Sequence, residues 1–192
     1  MANVDNPNGL TPLRYLNGSP YNGATVLCYV GTGDSTAIYP GGLVKLAGSS
    51  DADGVPAVTG NVSTGDGVYG VVQSVLPVTA DSLPYRAAST ARYLHVIPAE
   101  LVEFGVQDDG TGTPATTTAG SVADLTGLTS GNTTFGRSTI EISGSTITAA
   151  GDGTEDVVLL GLHRVTGNSL GDNAVWRVKL NNIQLVPDFT GV

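Results

Sequence analysis

The sequence predicts an all-β protein, an antiparallel β-sandwich or barrel, and three observations lead to this prediction. Glycine accounts for 27 of the 192 residues, roughly twice its usual share. No window of about 11 residues carries the apolar stripe of a helix without an interrupting Gly or Pro. Short runs rich in Val, Ile and Thr instead alternate with clusters of Gly, Asn, Asp and Ser. Strands joined by turns have this pattern.

Nine segments have the composition of strands. The alternation is clearest where Trp176, Val178 and Leu180 share one face, which predicts a tryptophan buried in the main core. Residues 157–160 do not alternate, so we expect both faces of that strand to be covered. The predicted strands are residues 24–30, 43–47, 68–75, 92–97, 101–106, 139–143, 146–149, 157–165 and 174–185.

Two glycine-containing segments are predicted to be hairpin turns. Ser143-Gly144-Ser145 lies between two predicted strands and is short enough for a tight hairpin. Gly31-Thr32-Gly33 follows the first predicted strand. It lacks the third glycine of a dinucleotide motif and the lysine of a phosphate-binding loop, so it indicates a turn and no cofactor site.

Residues 1–23 differ from the strand pattern. They contain three Asn-Gly pairs and three prolines, which favour turns and extended chain over sheet pairing. They also carry apolar side chains that a free tail would not need. The segment is either a strap over the protein's own core or an arm that docks on a partner. We expect an extended arm outside the main sheet, whose candidate capsid or subunit contacts are Leu10, Leu13, Arg14, Tyr15, Leu16 and Tyr21.

The remaining residues, 24–192, are predicted to form a single β-domain. Within it, residues 108–137 are rich in Gly and Thr. A stretch of this length and composition predicts a surface excursion or a weakly structured tip.

Charge and cysteine content exclude several classes of function. Eight basic and 17 acidic residues give a net charge of −9, which argues against a nucleic-acid partner because phosphate binding needs clustered Lys and Arg. The lone Cys28 excludes a disulfide framework within the chain and a multi-cysteine zinc site. No apolar run approaches a membrane span, and the N-terminus lacks signal-peptide features. We therefore expect a protein made in a cytoplasm, without membrane association.

The motifs that suggest catalysis are incomplete. Gly167-Asn168-Ser169-Leu170-Gly171 matches the nucleophile elbow of hydrolases, but a strand follows it instead of a helix. No histidine lies downstream of Ser169. The two histidines, His95 and His163, fall within predicted strands and lack zinc-ligand spacing.

The carboxylates of the sequence form neither a complete metal-binding motif nor a catalytic pair. Asp51-Ala52-Asp53-Gly54 begins like a calcium loop, but the twelfth position, which should supply a bidentate carboxylate, is Val62. Glu100 and Glu103 have an odd spacing that places them on opposite faces of a strand. We expect no enzyme activity, no metal and no cofactor.

The order of several segments resembles a family of small structural proteins of tailed-bacteriophage heads, which decorate or cement the outside of the capsid shell. The resemblance covers almost the whole chain, although each motif is mostly Gly turns and β-runs. The segments, in order, are residues 6–12, 17–23, 42–49, 53–56, 67–72, 137–141, 160–162 and 173–182.

The resemblance implies a non-enzymatic virion protein on the capsid exterior, assembled in the host bacterial cytoplasm. The major capsid protein would be its partner, and copies would self-associate around three-fold and quasi-three-fold positions. A net charge of −9 would keep free copies apart and oppose binding to packaged DNA. The alternative is another virion β-domain, such as a head-fibre base, a tail-associated domain, or a host-surface or glycan-binding module. Glycan binding would need exposed aromatic residues on a strand face or a long loop, and the 108–137 excursion offers only Phe135, which counts against it.

Overall fold

A computed structural model describes residues 3–112 and 114–185, and it confirms the all-β prediction. Helical residues in the described part of the chain are confined to two short 3-10 turns, Ala99–Leu101 and Gly144–Thr146. The strands are β1 (Thr11–Tyr15), β2 (Val26–Val30), β3 (Leu43–Ser50), β4 (Pro56–Thr59), β5 (Gly70–Val75), β6 (Arg92–Pro98), β7 (Val102–Gln107), β8 (Val122–Ala123), β9 (Leu125–Thr126), β10 (Gly131–Asn132), β11 (Arg137–Ser138), β12 (Glu141–Ile142), β13 (Val157–Leu162) and β14 (Val175–Leu180).

Five strands close into a barrel in the order β2-β4-β3-β5-β6. β2 and β4 are parallel, whereas the other neighbouring pairs of the barrel are antiparallel. β5 lies tightly against β6 at Gly70, where a side chain would collide with the carbonyl group of Ile97. Only glycine permits that approach. The barrel encloses the buried side chains Cys28, Val30, Ile38, Val44, Val58, Tyr69, Val72, Leu94 and Val96.

A second, five-stranded antiparallel sheet has the order β1-β7-β14-β13-β8. Its core includes Phe104 and Trp176, and Trp176 is only 1% exposed, as the alternation predicted. This core continues onto the barrel strands through Leu43, Val71 and Ile97. The sheet and the barrel therefore share apolar packing.

The prediction that residues 1–23 stay outside the main sheet is wrong. β1 pairs with β7, with Thr11 opposite Gly105 and Tyr15 opposite Val102. Pro12 is tolerated because β1 is an edge strand, where a missing N–H need not break a ladder, and the register shifts between Pro12 and Arg14. The segment is thus a strap over the protein's own core, the alternative that the sequence also allowed.

The prediction for residues 108–137 is correct only for the tip of the excursion. Phe135 is exposed, but Ala123 and Leu125 are buried in the core of the second sheet. The segment also supplies β8, which forms the far edge of that sheet by pairing with β13. The strands within this Gly- and Thr-rich segment are two residues long, which is too short to show a periodicity in the sequence.

Four local predictions are also wrong. Ser143-Gly144-Ser145 leads into a 3-10 turn, and residues 146–149 contribute one isolated bridge in place of a strand. Gly31-Thr32-Gly33 is a turn, but β2 pairs with β4 and β6, so the turn closes no hairpin. β13 alternates after all: Val157 and Leu159 are buried, whereas Val158 and Leu160 are partly exposed.

A buried arginine holds the loops at one end of the barrel together. Arg86 is fully buried and donates hydrogen bonds to four backbone carbonyl groups, those of Gly31, Asp34, Thr36 and Thr90. Its guanidinium also lies 3.7 Å from the carboxylate of Asp34. Since these carbonyls belong to non-repeating chain, the guanidinium replaces the strand partners that they lack.

Candidate contact surface

Three of the six predicted contact residues are directed to the protein's own sheet. Leu10 is 2% exposed and belongs to the core of the second sheet. Leu13 covers Gly105 on the neighbouring strand. The Nε of Arg14 donates to Oε2 of Glu103 at 2.9 Å. Leu10 and Leu13 thus serve the fold, whereas the side chain of Arg14 is paired with Glu103 but stays 43% exposed.

The two tyrosines of the segment also bind within the chain. Tyr15 donates its hydroxyl proton to Oδ1 of Asn22 at 2.6 Å, and its ring lies 5.7 Å from the ring of Tyr21. Tyr21 donates to the carbonyl of Ala24 or to Oε1 of Gln73. Both rings pack against the core of the second sheet, and burial raises the pKa of Tyr21.

Leu16 is the predicted contact residue that retains an exposed apolar side chain. It is 37% exposed, and its backbone N–H donates to the carbonyl of Leu101 at 2.8 Å. Leu101 is itself 58% exposed. Two leucines therefore lie side by side at the end of β1. We call them the Leu16–Leu101 patch.

The motifs considered for catalysis serve local structure. The loop with Ser169 joins β13 to β14, and the side chain of Asn168 closes it through hydrogen bonds to His163 and Val175. Burial, with a contribution from Arg177, lowers the pKa of His163. These contacts describe a turn between two strands, in agreement with the sequence analysis.

Asp51 and Glu103, two of the carboxylates considered as ligands or catalytic groups, are bonded to neighbouring residues. Oδ1 of Asp51 accepts from the backbone N–H groups of Asp53 and Val55, and the hydroxyl of Tyr93 donates to Oδ2 and lowers the pKa of Asp51. Glu103 lies between the guanidinium groups of Arg14 and Arg177, whereas Glu100 is exposed on a 3-10 turn.

Comparison with known proteins gives no match to this chain among protein families, curated proteins or solved structures. Among the residues that the structure describes, no three His, Cys, Asp or Glu side chains are placed to hold a metal ion. The same residues include no helix with the length and apolar character needed to cross a bilayer.

Sequence reasoning missed a pair of carboxyl groups near the N-terminal segment. Oδ2 of Asp108 and Oε1 of Glu141 are buried and have no hydrogen-bond partner in the described chain. Burial, together with the carboxylates of Asp5, Asp109 and Asp108, raises the pKa of Glu141 to about 7. Burial and the neighbouring Asp109 raise the pKa of Asp108 to about 6.

These shifts predict that stability falls as pH rises through neutrality. In the folded state Glu141 and Asp108 hold their protons to higher pH than in the unfolded chain, where ordinary values are near 4.5 and 3.8. The unfolded state therefore loses protons first, and the contribution of these two groups to the free energy of unfolding declines from about pH 4 to about pH 7. Denaturant titrations across that range measure the decline.

The matched variants for this prediction are Glu141→Gln and Glu100→Gln. Glu141→Gln removes a carboxyl group whose pKa is raised, so we expect the variant to be more stable than the wild type at pH 8 and to show a shallower decline. Glu100→Gln changes an exposed carboxylate and should follow the wild-type curve. A Glu141→Gln curve parallel to that of the wild type would contradict the assignment.

Proposed function

We propose that this protein decorates the outer surface of a tailed-bacteriophage capsid, binds the major capsid protein and stabilises the shell without catalysing a reaction. The observation that carries the proposal is the ordered series of segments that resembles head decoration proteins over almost the whole chain. The all-β fold supports it, since a decoration protein must above all be stable and complementary to a shell.

The surface chemistry also favours a structural role over other roles. A net charge of −9 opposes binding to packaged DNA and limits association of free copies. Of the candidates in the sequence, Ser169 lies in the loop between β13 and β14, Asp51 is hydrogen-bonded within its own loop, and Glu103 is paired with two arginines. The protein would be assembled in the host bacterial cytoplasm and carried on the exterior of the virion.

We place the capsid contact at the Leu16–Leu101 patch. Both leucines are exposed, and adjacent apolar side chains of this kind are typical anchors of protein interfaces. Leu10 cannot serve, because it lies in the core, and removing the whole N-terminal segment would therefore test folding together with binding. Point substitutions at the patch separate the two.

The test uses the full chain and capsids from particles that lack this protein. We expect the wild type to co-sediment with capsids at on the order of hundreds of copies per particle, grouped around three-fold positions. Leu16→Asp with Leu101→Asp should weaken binding by about tenfold or more, because a charge would be desolvated in the contact. Val78→Asp, at a side chain that is 73% exposed, is the matched control.

Four outcomes count against parts of the proposal. Absence of wild-type binding would overturn the decoration role. A few copies per particle would favour a tail or head-fibre component. Full binding by the double variant would move the contact away from the patch, and an averaged map with monomers at capsomer centres or dimers on two-fold axes would exclude three-fold grouping.

A further inference from the structure

A groove of about 700 Å³ lies between the N-terminal segment and the β10–β11 hairpin. This volume is within the range of small-molecule binding sites, roughly 300–1,000 Å³. The residues that decide its chemistry are one aromatic residue and five polar or charged ones. They are Asp5, Asn6, Asn132, Phe135, Arg137 and Glu141.

The aromatic residue is presented to solvent by an ordered hairpin. Phe135 is 73% exposed, yet its backbone N–H and that of Thr134 both donate to Oδ1 of Asn132. The N–H of Gly136 donates to the carbonyl of Asn132 at 2.7 Å, and Gly136 lies against Pro84. A phenyl ring that is held in this way and is 73% exposed offers a flat apolar face to a ligand.

The polar groups of the groove have bonding capacity that the described residues leave unused. The side chains of Asp5 and Asn6, the Nδ2 group of Asn132 and the carboxyl of Glu141 make no hydrogen bond to the described residues. Oε1 of Glu141 is itself shielded from solvent, so this carboxyl faces a ligand through its other oxygen.

Donors and acceptors both face the groove. Arg137 donates through Nη1 to Oδ1 of Asn8 at 2.9 Å, and its remaining N–H groups have no partner among the described residues. It can therefore donate to a ligand together with Asn132, while Asp5 and Glu141 can accept. Because a hydroxyl group both donates and accepts, a set of adjacent hydroxyls fits this mixture.

We propose that the groove binds a neutral saccharide, with the apolar face of one sugar ring on Phe135 and its hydroxyls between Arg137 and the carboxyls of Asp5 and Glu141. A basic peptide would face the charge of Arg137, and an acidic glycan would face two carboxyl groups. A pKa near 7 lets Glu141 act as donor or acceptor at neutral pH. The site is separate from the Leu16–Leu101 patch, so its success or failure leaves capsid binding untouched.

The experiment measures binding of the full chain to defined saccharides. Calorimetric titrations would use tetrasaccharides of N-acetylglucosamine, glucose, mannose and galactose, with an oligosialic acid and an oligolysine peptide as charged probes. We expect saturable binding to at least one neutral tetrasaccharide. Phe135→Ala should weaken it by about tenfold or more, as expected for loss of an aromatic anchor.

The matched control is Val78→Ala, because Val78 is exposed to the same extent as Phe135 and does not line the groove. It should bind like the wild type, and unchanged melting temperatures would show that both variants fold. The proposal is overturned if no neutral probe binds, if Phe135→Ala binds as tightly as the wild type, or if a charged probe binds more tightly than every neutral one.

Discussion

Trp176→Ala is expected to lower the free energy of unfolding by about 3–5 kcal/mol, the usual cost of removing a large buried aromatic side chain. Trp176 is 1% exposed and lies on β14, the central strand of the second sheet, opposite Val106 on β7 and Leu162 on β13. Its Nε1 group has no hydrogen-bond partner in the described chain. The expected loss is therefore one of apolar packing, and equilibrium denaturation in urea measures it.

Phe135→Ala is the matched control for this prediction. It also truncates an aromatic residue, but one that is 73% exposed, so the free energy of unfolding should change by less than about 0.5 kcal/mol. Trp176 is the chain's single tryptophan. Native fluorescence with the emission maximum of a solvent-exposed indole would contradict its burial, and equal stability of Trp176→Ala and wild type would contradict its role.

Arg86→Met is expected to destabilise the protein by about 3–5 kcal/mol, the range for breaking a buried charge network on one side. Methionine preserves much of the apolar volume but removes every donor. The carbonyls of Gly31, Asp34, Thr36 and Thr90 would then lose a hydrogen bond in buried or partly buried surroundings. The Asp34 carboxylate would lose its nearest cation.

Arg86→Lys should rescue little of this stability. An ammonium group keeps the charge but cannot reproduce the planar fork that reaches several carbonyls at once. Arg92→Lys is the matched control, since Arg92 is partly exposed and donates one hydrogen bond, to the carbonyl of Leu76 at 3.1 Å. Wild-type stability of Arg86→Lys would show that charge alone, without the fork, holds the loops.

Much of the β-fold was predictable because strands have a local signal. The period of two over Trp176, Val178 and Leu180 gave both the strand and its buried face. The predicted strands at residues 43–47, 68–75 and 92–97 correspond to β3, β5 and β6, with boundaries shifted by up to three residues. The charge, the lone cysteine and the incomplete motifs are likewise properties of composition and spacing.

The role of the N-terminal segment could not be read in the same way. Proline and Asn-Gly pairs argue against a strand wherever both edges must pair, but β1 is an edge strand whose neighbour among the described strands is β7. Whether a strand lies at an edge depends on the arrangement of the whole sheet. The contact residues Leu10 and Arg14 were consequently assigned to a partner when their neighbours belong to the same chain.

The sequence by itself determined the β-class of this protein, the buried face of its central strand and its lack of a complete catalytic motif. Only the tertiary structure decided that the barrel closes, that Arg86 joins four loop carbonyls, and that Phe135 and Glu141 line one groove. The groove also includes Asp5, which lies 136 positions from Glu141 in the sequence. Periodicity reports on neighbours along a strand, whereas pairs this far apart in the chain meet only when the sheets have packed.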